Sequence, residues 1–248
     1  MLKSIPSPCY LCGIKSGEMK FGVVIFPGSN CDQDMIYVLQ TIMQQEVVSL
    51  WHKEHDLQNC DFIILPGGFS YGDYLRSGAI ARFSPIMKEV IEFAEKGGYV
   101  FGVCNGFQIL CESGLLPGAL LNNVHHQFVC KNIYIKAEHN DSLITSMIDT
   151  SRPLKIPIAH GEGNFYCDEK TLKTITGNGQ ILFRYCDENG QLSETANPNG
   201  ALENIAGICN ATKNVFGIMP HPERASDKEL GNTDGKVIFE SLLSLVKA

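Results

Sequence analysis

Cys104 lies between two glycines in the run Gly102-Val-Cys104-Asn105-Gly106-Phe-Gln108. A thiol in such a G-x-C-x-G frame is the cysteine form of a nucleophile elbow, where small neighbours permit a tight strand-to-helix corner that lifts one side chain clear of a sheet. At that corner the positive end of the following helix favours the thiolate, and the N–H after it points toward a developing oxyanion. The same Cys is equally readable as a small buried hydrophobe. A cysteine nucleophile needs a base, and the base a carboxylate that orients it. Both occur together in Met219-Pro-His221-Pro-Glu223-Arg224. The prolines fix their own φ and push Met219 and His221 toward extended geometry, so His221 and Glu223, two residues apart, are expected to project to one side. A solvated surface turn is the plainer alternative for this segment. His160, in Pro157-Ile-Ala-His-Gly-Glu-Gly-Asn164, is the competing base. His52, His55, His125, His126 and His139 show no metal-binding spacing, and no metal site is expected.

The elements that must hold these groups follow from the apolar pattern. Residues 20–26, 46–51, 61–65 and 99–103 read as buried strands, each ending in a polar or glycine-rich loop. Between them, Met35, Val38, Leu39 and Ile42 recur on one helical face, and Ser84-Pro85 opens a second helix that Gly97-Gly98 stops. This alternation predicts a parallel sheet with helical crossovers, an α/β fold. Ligand sites in such sheets sit at the carboxyl ends of the strands. Pro66-Gly67-Gly68 leaves the third strand there, and its glycines let backbone N–H groups approach a substrate; Gly68 is the natural second oxyanion donor beside Asn105. After Pro117-Gly118 the sequence turns strand-rich without long helices, and a last helix spans 235–247.

Composition narrows the classes. With 248 residues, 44% of them apolar, the chain buries a sizeable core. A net charge of −7 without a Lys/Arg run gives no basis for nucleic-acid or membrane-surface binding, and no apolar stretch is long enough to span a bilayer. The ten cysteines are scattered through apolar runs, which suits reduced thiols in the cytoplasm. No P-loop or dinucleotide fingerprint occurs, so ATP is not bound here in the P-loop manner. Residues 1–18, with Cys9 and Cys12 in a C-x-x-C pair, carry no periodic pattern. They read as a loose extension, with Met19 a candidate start and 19–248 one domain.

Pro66-Gly-Gly68, Gly102-Val-Cys104-Asn-Gly106-Phe-Gln108 and His221-Pro-Glu223 together resemble the three signature blocks of the triad-type, class I glutamine amidotransferases. Further blocks from Pro66 to Arg82, Ala159 to Asn164, Asn197 to Gly200 and Met219 to Arg224 are similar to the branch of that family serving purine synthesis, in collinear order from about Lys20 onward. Three departures stand out: residues 1–18 lie outside the pattern, Asn105 replaces an apolar residue common elsewhere in the family, and Val124-His-His-Gln127 occupies a place where a small basic turn is expected. The resemblance implies a flavodoxin-like, open and mostly parallel sheet flanked by helices, with an added strand-rich segment. It implies a Cys104–His221–Glu223 triad that hydrolyses glutamine, with Gly67, Gly68, Asn105 and Gln108 as substrate and oxyanion contacts. It also implies no cofactor in this chain, but a larger synthetase partner subunit that uses ATP and Mg to convert formylglycinamide ribonucleotide with the released ammonia, and a small bridging subunit. From the residues alone, a stand-alone cysteine hydrolase or peptidase on a related fold remains the other reading, and a non-catalytic binding module a third.

Overall fold

Runs of β-branched and aromatic residues bounded by glycine, proline and asparagine give this chain its strands, and the computed structural model describes residues 19–246 of it. The expectations for residues 1–18, including Cys9 and Cys12, lie outside the described residues. The chain runs β1 (Lys20–Ile25), α1 (Asp32–Tyr37), β2 (Glu46–Trp51), β3 (Phe62–Leu65), α2 (Pro85–Glu95), β4 (Tyr99–Val103) and α3 (Asn105–Glu112). It continues through β5 (Ala119–Leu121), β6 (Val129–Ala137), β7 (Leu154–His160), β8 (Asn164–Tyr166), α4 (Glu169–Gly177), β9 (Ile181–Cys186), β10 (Ile205–Cys209), β11 (Val215–Ile218) and α5 (Lys236–Leu242).

Nine strands form one sheet in the order β2-β1-β3-β4-β11-β10-β9-β6-β7, and β5 pairs with β8 in a separate ribbon. From β2 to β11 all neighbours are parallel, as the crossover helices require. From β11 to β7 they are antiparallel, so the strand-rich segment extends the same sheet. Strands β3 and β11 are buried along their whole length and β4 from Val100 onward, the pattern of a sheet covered on both faces. Phe62, Tyr99 and Phe216 stack across the three strands, with ring planes within 12°.

Several local expectations change. The first helix stops at Tyr37 and continues as a π turn over Val38–Ile42, which still buries Met35, Val38 and Leu39. Ser84 precedes Pro85 at the start of α2, but its hydroxyl meets the Tyr71 hydroxyl at 2.9 Å and caps no backbone N–H. Between Pro117 and the last helix, α5, the chain forms a further α-helix, α4, announced by Asp168, whose carboxylate accepts from Thr171 N–H at 2.7 Å. No helix among the described residues is long and apolar enough to cross a membrane.

The corner between β4 and α3 rests on two close approaches. A Cβ on Gly106 would lie 1.9 Å from the Leu65 carbonyl oxygen, and one on Gly102 would lie 2.6 Å from the Gly106 carbonyl. Neither position has room for a side chain, so α3 packs directly on the ends of β3 and β4. Gly106→Ala is expected to lose at least about 3 kcal/mol of stability, because backbone must move. Exposed Gly177, with nothing near its missing Cβ, should accept Ala neutrally or gain up to about 1 kcal/mol. Urea unfolding of both variants checks this; equal losses would contradict the packing argument.

Candidate active site

Cys104 occupies the corner with φ 50° and ψ −105°, outside the regions an L-residue prefers. Its N–H donates to the Ile218 carbonyl at 2.8 Å, fixing the corner to the end of β11. The residue is only 4% exposed, yet it lines a cavity of about 260 Å³ with Gly68, Asp73, Gln108, His160 and Glu162. The sulfur is thus reached through a cleft in the surface.

The same β11 end delivers His221. Its N–H donates to the Pro157 carbonyl on β7 at 2.9 Å, and its Nδ1 sits 2.6 Å from Glu223 Oε1. His221 stands at φ −100° and ψ 86°, short of the extended geometry expected from the prolines, and Pro222–Ala225 then closes a 3₁₀ turn. The pair therefore meets across a turn instead of along one continuous strand. Both side chains are buried. Burial opposes charge on the imidazole, but the Glu223 carboxylate, and after it the Cys104 sulfur, outweigh that and raise the His221 pKa well above the ordinary value. Nε2 and Glu223 Oε2 have no protein hydrogen-bond partner.

His160, the competing base, is buried on β7 with Nδ1 3.2 Å from Asn123 Oδ1. Burial lowers its pKa to about 3, with the nearby charge of His221 adding to the effect, so it stays neutral and is a weak base. Asn123 also donates to the Gln127 and His160 carbonyls and accepts from Gly163 N–H, tying the 160–163 turn to the 123–127 loop.

The glycine pair divides its work. Gly68, at φ 139°, lines the cavity beside Cys104, while a Cβ on Gly67 would lie 2.7 Å from His221 Cε1. Gly67 is the seat of the imidazole, not part of the cavity wall. Asn105 opens α3, so its N–H has no acceptor within the helix. Its side chain accepts from Ser70 N–H at 3.1 Å and donates to Asp73 Oδ1 at 3.1 Å and Gln108 Oε1 at 2.9 Å. Gln108 Nε2 in turn donates to the Glu162 carbonyl at 2.6 Å. The loop after Gly68 holds Tyr71, Asp73 and Leu75 at left-handed φ and is latched by Tyr71, whose hydroxyl reaches His52 Nδ1 at 2.6 Å.

Reasoning from sequence passed over Asp73, Glu162, Cys31 and Arg224, although all but Cys31 stand inside motifs it singled out. Cys31 Sγ accepts from Arg224 Nη2 at 3.1 Å, and its donor atom lies within 4.8 Å of donors from His221 and Glu223, the one such grouping among the described residues. Those two donors already bind one another, and the Arg224 guanidinium occupies the sulfur, so the trio suits an imidazole environment better than a metal ion. His126 and Gln127, from the stretch departing from the expected small basic turn, form part of the cavity rim together with the following Phe128.

Residues 18–236 match the model of the CobB/CobQ-like glutamine amidotransferase domain. The chain is 57% identical over 225 residues, 91% of its length and 97% of the relative's, to the phosphoribosylformylglycinamidine synthase subunit PurQ of Koribacter versatilis. It is 53% identical over 227 residues, 92% of its length and 90% of the relative's, to the PurQ subunit of Chlorobaculum parvum. Among solved structures it is similar to a chain of PurLQS from Thermotoga maritima, with TM-score 0.80 and 40% identity, covering 92% of this chain and 99% of that one. A glutamine amidotransferase of Thermotoga maritima shares the fold, with TM-score 0.57 at 13% identity, over 94% of this chain and all of that one. The chain belongs to the glutamine amidotransferase family and, within it, to the PurQ subunits of phosphoribosylformylglycinamidine synthase.

Proposed function

We propose that this protein splits glutamine and supplies the ammonia to a synthetase subunit, which converts formylglycinamide ribonucleotide to formylglycinamidine ribonucleotide in purine synthesis. The observation that carries the chemistry is Cys104 at a strained corner on a cavity, within electrostatic reach of an imidazole whose pKa the Glu223 carboxylate raises. The Cys104 sulfur, as thiolate, attacks the side-chain amide carbon of glutamine. The N–H groups of Gly68 and Asn105 receive the oxyanion, the role that a preorganised donor pair plays in acyl transfer. His221 gives its proton to the departing ammonia and leaves a γ-glutamyl thioester on Cys104. Water, deprotonated by the same imidazole, then releases glutamate and restores the thiol. Glu223 holds Nδ1, so Nε2 is the nitrogen that exchanges the proton. Gln108, bonded to Asn105 and to the Glu162 carbonyl, borders the bound amide and helps position it.

Ammonia set free in bulk water is protonated and ceases to be a nucleophile, so the acceptor must meet it under cover. In this reading a large synthetase subunit activates the ribonucleotide with ATP and Mg and a small subunit bridges the two; the likeness to a chain of PurLQS supports such an assembly. This chain takes the glutaminase role in such a ligase, in the cytoplasm, where its eight described cysteines, all free, stay reduced. A stand-alone cysteine peptidase finds no support among its relatives.

Glutamate release from glutamine, measured with the synthetase and bridging subunits present, tests the reading. Cys104→Ala should abolish it; undiminished turnover would remove the proposed nucleophile. Glu223→Gln should lower kcat about 100-fold or more. It should also move the alkaline limb of the kcat/KM profile to lower pH, because the carboxylate that raises the imidazole pKa is gone and the proton needed by the leaving ammonia is lost sooner. An unmoved limb would contradict the role given to Glu223.

A further inference from the structure

The cavity beside Cys104 also presents two carboxylates, those of Asp73 and Glu162. Asp73 Oδ1 accepts from Asn105 Nδ2 at 3.1 Å, and Glu162 Oε2 accepts from Ser77 N–H at 3.1 Å. Asp73 stands at φ 53° in the loop latched by Tyr71, so its place is built into the backbone. Burial pushes its carboxyl up to about 6; hydrogen bonds from Ser77 and Asn105 pull the other way, and the charge of Glu162 adds to the rise. The titratable side chains sharing this wall are Glu162, His126, His160 and Cys104, and no Lys or Arg lines the cavity. Arg76, three residues on, is committed to Glu112, with Nε and Nη2 each 2.7 Å from a carboxylate oxygen. Arg76 also acts on Glu162 from outside the cavity, but the partly desolvated wall that carries the two acidic groups holds no cation of its own.

Glutamine carries one cation, its α-ammonium, four bonds from the amide carbon that Cys104 attacks, or roughly 5 Å in an extended chain. Resting on the glutaminase reading, we propose that Asp73, backed by Glu162, receives that ammonium and selects α-amino-acid amides over amides lacking it. Asn105 ties this selection to the reaction. Its backbone N–H faces the oxyanion, while its side chain holds the Asp73 carboxylate, so a substrate seated on Asp73 is placed in register with the nucleophile. Gln108, bonded to Asn105 and to the Glu162 backbone, closes the same frame.

The test compares glutamine with 4-carbamoylbutanoate, the same amide without the ammonium, as substrates of the assembled complex. The wild-type complex should favour glutamine in kcat/KM by about 10- to 100-fold. Asp73→Asn should reduce kcat/KM at least about 10-fold more for glutamine than for the desamino amide, chiefly through KM, and Glu162→Gln should act in the same direction with a smaller effect. The wild-type preference should itself fall as pH drops through about 6, a readout that holds even where a variant fails to assemble. Equal losses on both substrates, or a preference unchanged between about pH 5 and about pH 8, would overturn the assignment while leaving the glutaminase reading intact. A wild-type complex that releases no glutamate from glutamine would overturn both.

Discussion

The contact of α3 with the end of β3 is the constraint on which the site depends. Because Gly106 lies directly against the Leu65 carbonyl, the chain must reverse from strand to helix within one residue, and that residue is Cys104 at φ 50°. Such a conformation costs on the order of 1–3 kcal/mol and persists only where the surroundings over-determine it. Here they do so through the Cys104 N–H bond to Ile218, the Gly102–Gly106 contact and the buried Phe107 that anchors the helix. Strain in the backbone is exchanged for a sulfur at the mouth of a helix N-terminus, in reach of a cleft.

The second contribution comes from where the sheet changes character. Strand β11 is the last parallel strand and the first with an antiparallel neighbour. Its carboxyl end therefore borders both the β4 corner and the antiparallel extension, and His221 is held by both: through the end of β11 and through Pro157 on β7. The strand-rich segment thus supplies the base's backbone anchor, the 160–163 turn that borders the substrate, and the rim of the cleft. Without it the parallel half would present a thiol with no positioned base.

The Cys104 corner, the His221–Glu223 pair and the parallel half of the sheet were legible in the sequence because each rests on local rules. Glycines flanking a cysteine, prolines flanking a histidine and apolar runs at regular spacing act over a few residues. The rest depended on longer-range geometry. Asp73 and Glu162 come together only when a loop holding Tyr71, Asp73 and Leu75 at left-handed φ meets the turn after β7. His160, indistinguishable from a base by its motif, is disqualified by burial that no single sequence displays. Helix α4 had its signal in Asp168 but buries only Ile175 and so shows little apolar periodicity, and β5 and β8, three residues each, carry too little pattern to register.

The most direct test of the account is chemical identification of the acylated sulfur. The assembled complex, mixed with glutamine, quenched in acid and digested, should yield one peptide carrying a glutamyl group in thioester linkage at Cys104, and the adduct should accumulate further in His221→Asn, which lacks the base for its hydrolysis. A glutamyl group on Cys31 or any other residue, or glutamate released with no thioester formed at Cys104, would contradict it.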